Sequence, residues 1–189
     1  MALQVKRPIT PPIEVYRESD PIVEIGPDWL ARLKSTAIVS PLGRSRVCVH
    51  VDDATTVQEM ILAMRQDVLF RPHRHLKKTE SFHMIEGALD VVIFDESGRP
   101  MRGIHLAAVG SGKPFYYRLN EPLYHAILPR TPLIVFHETT TGPFLQGDAQ
   151  FADWAPHDPP KLRAFLENAM KLAAAPPIRS AGKAIRTRL

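Results

Sequence analysis

Between Val68 and Thr139 the chain breaks into short β-type runs at close intervals, and this segment constrains the fold more than any other. The runs are "VLFRPHRH", "ESFHMIEG", "LDVVIFD", "RGIHLAAV", "PFYYRL", "LYHAIL" and "PLIVFHET". The turns between them, among them "EGA", "ESGRP", "GSGK" and "RTP", supply the Gly, Pro and Ser that chain reversals need. Six or seven strands at hairpin spacing, with no helix between them, predict an antiparallel sandwich or a small barrel. A chain of 189 residues suffices for one such core with appended ends.

The flanks read differently. Prolines 8, 11, 12, 21 and 27 make residues 1–27 an extended arm, in which "IEVY" and "PIVEI" are short β-prone pieces able to join a sheet edge. Pro27 and Asp28 suit the start of a short helix through "DWLARLKS", and "SRVCVHV" reads as a strand. Thr56 and Glu59 have capping-box spacing, and Val57, Met60, Ile61 and Met64 recur at helical intervals, so a helix is predicted over residues 56–66. Asp158 before Pro159 marks another helix start, with Leu162, Phe165, Leu166, Ala169 and Ala173 on one stripe and Pro176 and Pro177 as its stop. The chain therefore divides into an arm (1–27), a β domain with preceding helices (28–156), a C-terminal helix (157–175) and a basic tail (176–189).

Charge and cysteine content exclude several classes. The formal charge is +4, and Arg179, Lys183, Arg186 and Arg188 account for all of it, so the excess is a basic tail and not a binding face. No helix-turn-helix or other DNA-reading pattern accompanies it, so nucleic acid is not expected as a partner. The single cysteine, Cys48, excludes an internal disulfide and a cysteine-rich zinc module, and its place in an alternating run makes it a packed residue. No run approaches the ~20 apolar residues of a membrane span, and the N-terminus has no apolar signal core, so a cytoplasmic setting is expected.

The chemistry concentrates in "RPHRHLKKTESFHMIEG". Side chains alternate along a strand, so Arg71, His73 and His75 share a face, and Glu80 opens the next strand where it can look back at them. Two imidazoles and a carboxylate on adjacent strands suit a divalent transition metal. The spacing H-x-H, four residues, Glu, six residues, Gly resembles the first motif of the cupin superfamily. A fourth ligand is expected from a later strand. His83 falls on the face opposite Glu80, His105 lies in a strand where cupins supply no ligand, and His137 reads as a sheet or rim residue. His125 in "NEPLYHAIL" resembles the histidine of the second cupin motif, although Asn120 and Pro122 replace that motif's usual turn.

Over about Val47 to Pro156 the chain is also similar to the WbuC family of cupin-fold metalloproteins, in "HVDDATTVQEM", "RPHRHLKKTESF", "VVIFDESGR" and "GPFLQGDAQFADWAP". The resemblance implies a mainly β protein, a cupin double-stranded β-helix (a jelly-roll barrel) with flanking helices. It also implies one divalent transition metal (Fe, Mn, Ni, Co or Zn) on His73, His75, Glu80 and His125, and a bacterial setting in surface-polysaccharide synthesis. The expected function is a metalloenzyme acting on a small polar molecule such as a nucleotide sugar or sugar acid, through isomerase, epimerase or dioxygenase chemistry. The alternative is a non-catalytic module that senses a sugar or another small ligand. Arg71 suits an anionic substrate group or a structural ion pair, and Lys77 and Lys78 suit the rim. Tyr116, Tyr117 and Tyr124 are hydrogen-bonding candidates whose faces alternation leaves open, and Tyr124 joins Arg71 as a substrate-binding candidate. The arm, at a sheet edge, is expected to support a homodimer.

Overall fold

A computed structural model describes residues 15–18, 20–145 and 147–173. Eleven strands and two helices are found among them, in the order β1 (Val15–Arg17), α1 (Pro27–Val39), β2 (Arg44–Cys48), β3 (Val57–Arg65), β4 (His73–His75), β5 (Glu80–Glu86), β6 (Ala88–Phe94), β7 (Pro100–Ala107), β8 (Tyr116–Leu119), β9 (Tyr124–Pro129), β10 (Leu133–Thr141), β11 (Ala149–Phe151) and α2 (Pro159–Leu172). They form a six-stranded sheet, β1-β2-β3-β10-β5-β8, and a five-stranded sheet, β11-β4-β9-β6-β7. All pairings are antiparallel except β1 with β2. Strands distant in sequence lie side by side, β3 against β10 and β4 against β9. The result is a double-stranded β-helix, the jelly-roll barrel of the cupin fold.

The core fills the space between the sheets. Met60, Leu62 and Met64 of β3, Phe82 and Met84 of β5 and Phe136 of β10 meet Leu89, Val91 and Ile93 of β6 and Ile127 of β9. Alternate residues of the same strands point outward and are covered by the helices. Leu33 and Ala37 of α1 seal Val47, Ile61, Ala63 and Val135. Leu162, Leu166, Ala169 and Met170 of α2 seal Val92, Phe94, Ala126 and Leu128. The Asp158 carboxylate accepts a hydrogen bond from the Lys161 backbone N–H at 3.0 Å, which caps α2.

This double covering corrects the reading of residues 56–66. "VQEMILAMR" is the strand β3, paired over its length with β10 and partly with β2. Its even-numbered residues face the barrel and Ile61 and Ala63 face α1, so apolar side chains are needed on both sides. The resulting run satisfies a helical template by coincidence, and Thr56 caps nothing: its carbonyl accepts from the Gly142 N–H at 2.8 Å.

Of the arm's two β-prone pieces, the one ending at Tyr16 contributes to β1 at the sheet edge, while residues 21–25 form no strand. Residues 1–14 and 19 of the arm and the whole of the basic tail lie outside the described residues. No helix among the described residues is long and apolar enough to cross a membrane.

Candidate metal centre

Four side chains converge where β4 and β9 of one sheet face β5 of the other. His73 and His125 are directly paired across β4 and β9, and His75 follows His73 two residues on, past Arg74. One ring nitrogen from each of His73, His75 and His125 lies within 4.8 Å of the others, a spacing that suits a shared ion. The ring centroids of His73 stand 5.2 Å from His75 and 4.6 Å from His125. Glu80, only 7% exposed, reaches across from β5 with Oε1 3.3 Å from His125 Nε2 and Oε2 3.7 Å from His75 Nε2.

The motif's glycine sits at the hinge of this arrangement. Gly87 joins β5 to β6 with φ +78°, and a Cβ there would lie 2.4 Å from Thr131 Oγ1 and 2.8 Å from the Leu133 carbonyl. Only glycine meets both demands, and the turn it makes fixes where β5 ends and β6 begins.

Hydrogen bonds set the imidazole tautomers. His73 Nδ1 lies 3.1 Å from the Arg71 carbonyl, and His125 Nδ1 lies 3.1 Å from the Leu123 carbonyl. A carbonyl only accepts, so both Nδ1 atoms carry the proton and both neutral rings aim an Nε2 lone pair inward. At His125 that lone pair faces the Glu80 oxygen, and neither atom has a hydrogen-bond partner, although both are buried. Acceptor against acceptor at 3.3 Å is an arrangement that requires a cation between them or a proton on one of them.

The titration behaviour follows from the same contacts. Burial, reinforced by His125, drives His73 from 6.5 down to about 4, and burial also lowers His75. Burial would lower His125 as well, but the Glu80 carboxylate outweighs it and the net shift is upward. Burial opposes the charge on Glu80, yet His125, His75 and His73 outweigh it and hold the carboxyl below its ordinary range. A site of two neutral imidazoles, one imidazole that attracts positive charge and one ionised carboxylate has the chemistry of a divalent-metal donor set.

A cavity of about 480 Å³ adjoins the cluster, with His75 and Glu80 in its wall. Three cations line it, Arg17, Arg46 and Lys78, together with Glu138. Glu138 faces inward from β10, where it pairs with Phe82 of β5. Burial first, and then the Glu80 charge, push its carboxyl up to about 8.

Arg71 and Tyr124, the two substrate-binding candidates, are engaged elsewhere. Arg71 donates from Nη2 to the Ala152 carbonyl at 2.5 Å, lies 5.9 Å from the Phe151 ring, and does not line the cavity. The reason is local: β4 begins only at His73, so strand alternation does not extend back to residue 71. Tyr124 alternates with His125 and therefore faces outward, under the Arg74 guanidinium at 4.6 Å and edge-on to Trp154 at 5.6 Å. Of the other tyrosines, Tyr117 turns inward with a buried, unpartnered hydroxyl, and Tyr116 is exposed. Lys78 does reach the cavity but is held by Asp148 at 2.8 Å. His83 is exposed beside Phe115, His105 bonds Asp90 at 2.7 Å, and His137 lies 3.6 Å from Glu59.

Arg46 and Glu138 were not legible as site residues from the motifs. The signal for Arg46 was the alternation in "RSRVCVHV", which puts Arg44, Arg46 and Cys48 on one face. For Glu138 there was only its place among apolar and hydroxyl residues in "IVFHETTT".

Comparison with known proteins finds similarity at low identity. Residues 25–106 match a family described as a domain of unknown function (DUF6016). No curated protein matches the chain. Among solved structures the chain is similar to the cupin domain of Cnp3 from Schizosaccharomyces pombe, at 11% identity over 52% of this chain and 64% of that one, with a TM-score of 0.40. It is similar to a sugar phosphate isomerase of the cupin superfamily from Silicibacter pomeroyi, at 16% identity over 46% and 51% of the two chains, TM-score 0.36. A recombinant oxalate oxidase in complex with glycolate gives 13%, 60%, 57% and 0.44. The chain spans 57% of that oxidase and 22% of procruciferin from Brassica napus, another structure it is similar to.

Proposed function

We propose that the protein is a metal-dependent cupin that acts on a small polar molecule, with His73, His75, Glu80 and His125 holding one divalent transition metal. The observation that carries this reading is the buried pair of acceptors, His125 Nε2 and Glu80 Oε1, facing each other with no hydrogen-bond partner. When bound there, a divalent ion supplies Lewis acidity at a substrate oxygen.

The chain's own residues do the rest. The Arg71 and Leu123 carbonyls hold His73 and His125 in the tautomer that points Nε2 at the centre. The cavity beside His75 and Glu80 admits the substrate. Glu138, whose carboxyl exchanges its proton near neutral pH, is the group placed to give a proton to a bound substrate or to take one from it. The resemblance to WbuC-type cupins directs the substrate search to sugar acids and nucleotide sugars of surface-polysaccharide metabolism.

The test has two parts. Metal stoichiometry is measured on the purified protein, then after chelation and reloading, alongside the His73→Ala/His75→Ala double variant. Loss of stoichiometric metal in the variant is expected, and full retention overturns the ligand set. The loaded protein is then incubated with sugar acids and nucleotide sugars and followed by NMR, where turnover is expected from a catalyst and ligand shifts without turnover would mark a binding module.

A further inference from the structure

We propose that the cavity beside the histidine cluster binds a small carboxylate that also carries a hydroxyl, with Arg46 as the counter-ion and Glu138 as the hydroxyl's partner; this rests on the metal-centre reading above. The starting point is an inventory of the three cations in the cavity wall. Arg17 is paired with Asp53 at 2.7 Å and Lys78 with Asp148 at 2.8 Å. Among the described residues Arg46 has no carboxylate within 4 Å; its side chain meets the Cys48 thiol, and its Nε is buried without a partner.

Its position is set by the sheet. Arg46 pairs with Leu62, and Cys48 pairs with Met60, so Arg46 faces the barrel along with these residues of the central core. The half-buried side chain has no oxygen acceptor, and its buried Nε is costly unless something else supplies one. Glu138 is on the same cavity wall, yet no nitrogen of Arg46 comes within 4 Å of its carboxylate oxygens. A guanidinium and a carboxyl that share a cavity wall and do not meet leave room for a ligand between them.

The geometry also selects the ligand's chemistry. The planar fork of arginine matches the two oxygens of a carboxylate. A phosphate would call for further donors, and no residue of α1 or α2 lines the cavity to offer a helix N-terminus. Its extra charge would also face the Glu80 carboxylate. A hydroxyl on the same molecule satisfies Glu138 whether that carboxyl accepts or donates. The volume, about 480 Å³, suits a small hydroxy acid or sugar acid.

The test is calorimetry on the full-length protein as purified, with L-lactate as the probe. Propionate lacks the hydroxyl, methyl L-lactate lacks the charge, and inorganic phosphate tests the competing anion. Lactate is expected to bind, and each of the other three to bind more weakly. Arg46→Met should weaken lactate by ~10-fold or more, as loss of charge-assisted hydrogen bonds predicts, with metal content unchanged. Glu138→Leu should reduce the preference for lactate over propionate. If Arg46→Met does not fold, Arg46→Lys keeps the charge and loses the fork, and weaker lactate binding is expected there too.

The proposal is overturned if lactate does not bind the wild type, if the Arg46 variant binds it equally well, or if phosphate binds more tightly. The two readings fail separately. Metal retained with lactate binding indifferent to Arg46 sinks this inference alone. Lactate binding that depends on Arg46 in a protein that takes up no metal sinks the metal centre alone.

Discussion

Replacing Gly87 with alanine perturbs the turn that starts the second half of the barrel, and its cost can be worked from the coordinates. Alanine at φ +78° occupies the left-handed region, at roughly 1–2 kcal/mol. The new Cβ would lie 2.4 Å from Thr131 Oγ1, so that hydroxyl must move. In its present place the hydroxyl accepts from the Ala88 N–H at 3.1 Å and donates to the Leu133 carbonyl at 3.0 Å. Losing both bonds adds about 1–2 kcal/mol, for a total near ~2–4 kcal/mol. For a chain of this size that is a fall in Tm of roughly 5–15 °C. Thermal unfolding at fixed metal concentration reads it directly. Thr131→Ala alone should cost about 1–2 kcal/mol, and the Gly87→Ala/Thr131→Ala double variant should cost less than the sum, because the clash partner is gone. A Gly87→Ala protein melting within 2 °C of the wild type, or a strictly additive double variant, would refute the argument.

Other expectations follow from the same coordinates. Below pH ~6.5 the unfolded chain protonates His73 while the folded chain resists until about 4. The metal-free protein should therefore lose stability as pH falls through that window, by up to about 3 kcal/mol from this residue. The raised His125 acts in the opposite sense, adding stability below its unfolded pKa that is lost as pH rises through the folded value, so His73→Asn should flatten the acid limb. A urea midpoint for the metal-free wild type that rises steadily from pH 6.5 to 4.5 contradicts this assignment. Leu166→Ala opens a cavity under α2, where Leu166 is fully buried, and should cost ~2–5 kcal/mol in urea unfolding without changing metal content. Deleting the arm, residues 1–27, should take the protein from dimer to monomer by light scattering, and a variant that keeps the dimeric mass sinks the idea that the arm supports association.

The β-barrel span was readable because its turns carry Gly, Pro and Ser at hairpin intervals, and the cupin spacing put His73, His75 and Glu80 on facing strands in advance. His125 was within reach once strand alternation was combined with motif order. The limits had physical causes. β3 is buried on both faces, so the alternation that identifies a strand is erased and a helical template fits equally well. Arg71 precedes its strand, and the rule that residues two apart share a face stops at the strand's first residue. Arg46 and Glu138 line one cavity from β2 and β10, a juxtaposition set by tertiary pairing that leaves no local spacing to detect.

The central claim is a single divalent ion held by three imidazoles and one carboxylate. X-ray absorption at the edge of the bound metal, on the protein reloaded after chelation, tests it most directly. The account predicts scattering from three imidazole rings plus an oxygen shell, with ligands at ~2.0–2.2 Å, and a reduced imidazole count in His125→Ala. A spectrum dominated by sulfur or by water oxygen, or an imidazole count unchanged in that variant, would contradict it.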